Sequence, residues 1–235
     1  MTAPLPFPVT PRRPGEPEAD LTGLALAHRA LRGGCRLLAD GAASVAADGA
    51  GWPPARRRAL VAFGRGVLRE VRVHTEREDA VLWPVVAASA GAHAADLGPL
   101  TEDHAALRAV LARAAAALPG LAAGGPGAAP AATVLAELAG ALDEHVAEEE
   151  REVFPVLRRC VSARDLARYE ARCARGPGLR HAAFALPWLA ATCGTPAERA
   201  GLLATTPVPL RVVLRLAGPG WRRRRDLVAG GQPPA

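Results

Sequence analysis

Apolar residues recur every three and four positions in four stretches of the chain. In the first, Leu21, Leu24, Leu31, Cys35 and Leu38 share one stripe with His28. The second runs Leu60, Phe63, Val67, Val71, His74, Glu78, Val81 and Val85. The third is Leu100, His104, Leu107, Leu111 and Leu118, and the fourth is Leu135, Leu138, Leu142, His145, Glu149, Val153, Val156 and Cys160. That spacing places each set on one face of a helix. Four such helices with suitable connections predict an all-α, up-down-up-down four-helix bundle. The Gly-rich segment through Gly49–Pro54 reads as a loop, and Pro119-Gly120 followed by LAAGGPGAAPAAT as the end of a helix and a flexible linker. Six prolines in the first 20 residues, with no continuous apolar run, predict a disordered leader over 1–19 that is neither signal peptide nor anchor. The bundle then occupies 20–160 and a C-terminal helical extension with a basic tail 161–235. Within the extension, Thr195-Pro-Ala-Glu198 has the form of a capping box, with helical pieces expected to about residue 217.

Each stripe carries polar residues inward, and their pattern is duplicated. His74, Glu78, Trp83, Pro84 and Val85 recur as His145, Glu149, Phe154, Pro155 and Val156, 71 residues on; upstream, His28 and Arg32 recur as His104 and Arg108, 76 residues on. Pro84 and Pro155 are expected to end or kink their helices at equivalent places. Residues i and i+4 lie about 40° apart around a helix and one turn apart in height, so each His-x3-Glu pair presents two ligands to one point. A single core histidine is ordinarily a hydrogen-bonded core residue. Buried carboxylates change that balance, because an uncompensated buried charge costs several kcal/mol and a cation supplies both charge and coordination. Four imidazoles and two carboxylates suit a pair of first-row transition metals better than magnesium or calcium, most simply bridged by Glu78 and Glu149. Acids flank both, Asp79 beside Glu78 and Glu148 and Glu150 beside Glu149, and the register of the repeat selects Glu78 and Glu149. The H-E-x-x-H zinc pattern and the Glu-x-x-His pairs of ferritin-like di-iron proteins are absent.

Composition adds limits. The 235 residues are 50% hydrophobic but only 4% aromatic, as in closely packed Ala-rich helices. All 29 basic residues are Arg, and the net charge is +6. No nucleic-acid signature accompanies them, so no nucleic-acid partner is expected, and without a spanning run or anchor no membrane partner is expected either; Arg222 to Arg225 beside Trp221 read as a solvated terminal segment. Cys35, Cys160, Cys173 and Cys193 lack C-x-x-C spacing, which fits reduced thiols in a cytoplasm; Cys35 reads as a small core residue. His93 and His181 fall outside the repeat and read as incidental.

Taken together, His28, His74-x3-Glu78 with Trp83-Pro84, His104, and His145-x3-Glu149 with Phe154-Pro155 resemble the hemerythrin family, specifically its HHE-type cation-binding domain, over about residues 20 to 160. The resemblance implies a four-helix bundle with a non-haem di-iron centre that meets dioxygen, peroxide or nitric oxide. Its metal ligands are His28, His74, Glu78, His104, His145 and Glu149, and its cofactor is two iron ions. One position departs: oxygen-carrying hemerythrins place a second histidine on the third helix where this chain has Arg108. Arg32 holds the equivalent place after His28, so both arginines are expected at the bundle edge; pointing inward, Arg108 would instead stabilise a bound anion. Either way an iron is left more open, which argues against simple reversible oxygen carriage. The leading expectation is therefore a protein that binds or reduces a small ligand. The alternatives are a di-iron oxidoreductase whose extension, with Phe184, Pro187 and Trp188, roofs a pocket for an organic substrate, and an iron, oxygen or redox sensor.

Overall fold

A computed structural model describes residues 5–48, 51–91, 97–174 and 178–230. His93 and part of the first Gly-rich loop lie outside them. The described chain is helical, with one isolated bridge between Pro11 and Val161 and no named strand. The bundle helices are α1 (Thr22–Ala47), α2 (Pro54–Arg77), α4 (Gly98–Ala123) and α5 (Ala128–Cys160). α1 and α4 each pack against both α2 and α5, which closes the ring expected for up-down-up-down order. The predicted stripes are the buried faces. Leu38, Leu60, Val67, Val71, Leu138 and Leu142 are fully enclosed. α4 is long and apolar enough to cross a membrane, yet it packs on α2 and α5 and carries His104 into the core, as a core helix does.

Three segments depart from expectation. Pro119 and Gly120 do not stop α4, which runs on to Ala123 and is joined to α5 by Gly124 and a 3-10 turn, Gly125–Gly127. Pro119 lies in the last turns and removes few helical bonds. A Cβ on Gly120 would collide with the carbonyl of Gly127, so glycine there allows the two backbones to touch. The flexible linker is thus mostly helix. Second, the leader is not loose over residues 5–20. Thr10 N–H donates to the buried carboxylate of Asp165 (2.6 Å), Arg12 N–H to Cys160 O (2.8 Å), and Arg168 to Pro8 O (2.8 Å). These bonds span some 150 residues of sequence and leave no local periodicity to read.

Third, the two proline motifs behave differently. After α2, a π-helical turn, Glu78–Leu82, precedes α3 (Trp83–Ala90), and Trp83 N–H bonds back five residues to Glu78 O. Pro84, which has no N–H, follows immediately. Pro155 is instead absorbed inside a continuous α5.

The extension comprises α6 (Ala163–Ala174), α7 (Leu179–Thr192), α8 (Pro196–Thr205) and α9 (Val208–Val228), the last reaching beyond the expected end. α7 packs on α1 and α2, and α9 on α2 and α7. Phe184, Trp188, Trp221 and Val228 join the main hydrophobic core. A Cβ on Gly66 would strike the Phe184 ring, and one on Gly34 the Trp188 ring, so two glycines of the bundle make room for α7. Gly66→Ala should therefore cost about 1–3 kcal/mol by denaturant unfolding, as overpacking does; an unchanged midpoint would mean that α7 does not dock there. Thr195 Oγ1 caps α8 by accepting from Glu198 N–H (3.1 Å), while Glu198 reaches Gly194 N–H (2.7 Å) and Arg29 (2.9 Å). The Arg29 guanidinium first, then the Gly194 amide, holds the Glu198 carboxyl down to about 2.

Candidate metal centre

A polar layer crosses the bundle between two apolar clusters. On one side lie Leu31, Cys35, Val71, Leu107, Leu142 and Val146; on the other Leu24, Val81, Leu100, Val153, Phe154 and Leu157. Each helix contributes in register with its own stripe: His28 from α1, His74 from α2 with Glu78 at the start of the π turn, His104 from α4, and His145 and Glu149 from α5. All six are buried, and Glu78, Glu149, His28 and His104 are wholly so.

Their atoms converge. Glu78 Oε1 lies 2.9 Å from His74 Nε2 and 4.0 Å from His28 Nε2, while its Oε2 lies 3.5 Å from His104 Nε2. Glu149 Oε2 is 3.4 Å from His28 Nε2 and 3.9 Å from His145 Nε2. Two clusters follow, His28–His74–Glu78–Glu149 and Glu78–His104–His145, in each of which the donor atoms fall within 4.8 Å of one another. Glu78 belongs to both. The structure thus brings together all six residues that the sequence singled out.

The outer nitrogens are held in a crossed arrangement. His104 Nδ1 meets Asp79 Oδ1 at 2.7 Å, and Trp83 stacks on the His104 ring (centroids 6.0 Å apart, 16° between planes). His28 Nδ1 meets Glu150 Oε1 at 2.9 Å, and Phe154 stacks on the His28 ring (5.6 Å, 23°). Asp79 and Trp83 thus come from the first copy of the repeat and hold the histidine of the second; Glu150 and Phe154 do the reverse. An Nδ1–H donated outward to a carboxylate leaves the Nε2 lone pair directed inward, which fixes the tautomer a metal ligand needs. The sequence carried the signal, since both copies place an acid directly after the repeated Glu and an aromatic five residues after it. The register of the repeat alone does not mark those acids as partners of the histidines. Asp79→Asn should weaken metal affinity roughly 10–100-fold while the fold persists; a metal titration with unchanged affinity would contradict the assignment.

Arg108 lies at the bundle edge, 45% exposed, with its guanidinium on Asp79 (3.1 Å), and Arg32 points out to Asp143 (2.5 Å). Neither faces the polar layer. His181, read as incidental, is buried where α7 meets α2 and sits 3.0 Å from Glu70 Oε1. Nothing in the local sequence marked that pair. Burial pushes the thiol of Cys35 up to about 12, as befits an inert core residue.

Electrostatics favour a cation. Burial opposes ionisation of Glu78, but His74, His104 and His28 together outweigh it and hold its carboxyl well below the usual range. Burial likewise opposes charge on His28, yet Glu149, Glu150 and Glu78 raise its pKa well above that of a free imidazole. Despite these approaches, both oxygens of Glu78, both of Glu149 and the Nε2 atoms of His28 and His74 have no hydrogen-bond partner of acceptable geometry. Buried polar atoms are rarely left so. Converging on one point, they fit a bound cation.

The family description "Hemerythrin HHE cation binding domain" matches residues 20–157, more than half of the chain. Comparison with curated proteins and with solved structures gives no match.

Proposed function

Because the chain belongs to the hemerythrin family of HHE cation-binding domains, we propose that it holds two iron ions through His28, His74, Glu78, His104, His145 and Glu149, and that this centre binds or reduces dioxygen, peroxide or nitric oxide. The observation that carries the reading is the set of partnerless nitrogen and carboxylate oxygen atoms converging between two apolar clusters. Glu78, with one oxygen toward His28 and His74 and the other toward His104, would serve as a ligand common to both halves. Glu149 spans from His28 to His145 on a second edge. Bound iron would supply an open coordination position and reversible electron transfer.

The chain's own residues do the rest. Asp79 and Glu150 hold the outer protons of His104 and His28; Trp83 and Phe154 fix the planes of those rings. Val81, Leu82, Val153 and Leu157 exclude water from one side, and Val71, Leu107 and Leu142 from the other. Four neutral imidazoles donate less negative charge than carboxylates would, which favours the ferrous state and disfavours strongly oxidising chemistry. Arg108, held by Asp79, adds no donor to the cluster of Glu78, His104 and His145, which has three donors against four in the other. Phe184 and Trp188, which an organic-substrate pocket would have used, are committed to packing against Gly66 and Gly34. Four unpaired cysteines are consistent with a reducing, cytoplasmic setting.

The test is to mix anaerobic, ferrous-loaded protein with nitric oxide, dioxygen and hydrogen peroxide in turn. A new visible absorption with at least one of them is expected; silence toward all three would overturn the proposed activity while leaving metal binding to be measured separately.

A further inference from the structure

We propose that α9 is an interfacial helix that lays this protein on an anionic lipid surface. Its inner face is spent on the fold, with Trp221 and Val228 in the main core. Over its N-terminal half the outer face carries a row of apolar side chains that no described residue covers. Val208, Val212 and Leu216, at i, i+4 and i+8, are 67%, 54% and 76% exposed, and Leu227 lies on the same side beyond Arg223 and Asp226 at 43%. Of the six large apolar residues exposed among the described residues, four lie on this helix, the other two being Leu5 and Leu179. Single exposed apolar residues need no explanation, but a row along one helix face does.

Charge borders that row. Arg211, Arg215 and Arg222 stand along one edge, and Arg223 and Arg224 are exposed toward its C-terminal end. The helix carries six arginines against one acid, Asp226, and Arg225 already holds that acid at 2.7 Å. An open groove between this end of α9 and the start of α2 is lined by Arg56, Arg222, Arg223, Asp226, Pro53 and Leu227, so three guanidinium groups, one acid and an aliphatic side chain meet at one surface. A convex helix with an aliphatic row and an arginine border has the form that lies in the headgroup region, its apolar side chains reaching the acyl boundary while the cations stay among phosphates. A nucleic acid would use the arginines but gain nothing from Val208, Val212 and Leu216. The expectation of no membrane partner rested on spanning and leader segments; an interfacial helix needs neither.

The experiment is flotation of the full-length protein with vesicles of phosphatidylcholine alone and vesicles in which phosphatidylserine replaces a third of the lipid. Binding to the phosphatidylserine vesicles only, weakened at high salt, is expected. The variant Arg222→Gln/Arg223→Gln/Arg224→Gln should bind on the order of a hundredfold more weakly, and Val212→Asp/Leu216→Asp should stay with the soluble fraction. Both variants alter solvent-facing side chains, so helicity and metal content should match the parent protein and serve as controls for folding. Failure of the parent to float, equal flotation with both vesicle types, or undiminished binding by either variant would overturn the proposal. So would a parent dimer in solution that Val212→Asp/Leu216→Asp dissolves, since the row would then be covered by a second copy of the chain.

Discussion

Glu78→Ala should empty both halves of the metal centre at once, taking bound metal from about two ions per chain to nearly none. Glu78 is the one residue present in both donor clusters, and its two oxygens face opposite pairs of imidazoles. Removing it leaves His104 and His145 with no carboxylate from the first half of the repeat, and leaves His28 and His74 with Glu149 alone. Two imidazoles alone, or two with the single carboxylate of Glu149, lack the charge that Glu78 shares between both clusters and hold a divalent cation more weakly. His145→Ala is the informative contrast. It removes a donor from the smaller cluster only, so about one ion should remain with His28, His74, Glu78 and Glu149. Elemental analysis of the two variants, with helicity by circular dichroism to verify folding, distinguishes them. Equal loss in both would mean that the halves do not bind separately, and full retention in Glu78→Ala would mean that Glu78 is not a ligand.

Stripping the metal should lower stability by on the order of 4 kcal/mol, the value for one ligand present at a thousand times its dissociation constant. In the metal-free chain the partnerless atoms of Glu78, Glu149, His28 and His74 stay buried without a compensating cation, and each such atom normally costs free energy. The difference should depend on pH in a definite direction. The carboxylates Glu149, Glu150 and Glu78 raise the pKa of His28 against the opposing effect of burial. A raised pKa means that protonation stabilises the metal-free fold fully below the ordinary imidazole value of about 6.5. That contribution fades as pH rises through the elevated folded value. Metal binding requires the neutral imidazole, so affinity moves the opposite way and falls with acidification. The gap between metal-bound and chelated protein should therefore be widest at alkaline pH and narrow as the solution is made acidic. Thermal unfolding of both forms across pH measures it; a gap that widened on acidification would contradict this electrostatic reading.

Much of this architecture was legible because helical periodicity and duplication are local properties of a sequence. Leu38, Leu60, Val71 and Leu142 announced their faces by spacing alone, and His28 and Glu149 announced theirs by occupying apolar positions. The extension was less legible for a physical reason. Phe184 and Trp188 dock through clearance left by Gly66 and Gly34, more than a hundred residues away, and a glycine inside a helix looks the same whether it frees space for a ring or does nothing. The contacts of the Pro-rich leader are hidden from the sequence in the same way. Its composition indicates a chain unable to build its own core, but Thr10 borrows order from Asp165 and Arg12 from the end of α5. Duplication also overstated symmetry. Pro84 and Pro155 share a register, yet only the first follows a π turn, and the sequence contains no difference that predicts it. By contrast Asp79 and Glu150 were readable in principle: each follows its Glu in both copies, and only the crossing of partners, first copy to second and back, needed three dimensions.

Counting iron per chain in protein purified from iron-supplemented cells tests whether the six buried side chains hold two metal ions. About two irons are expected, falling to nearly none in Glu78→Ala. A purified, folded protein with no iron and no other transition metal would contradict that expectation and leave the polar layer as a hydrogen-bonded feature of the bundle.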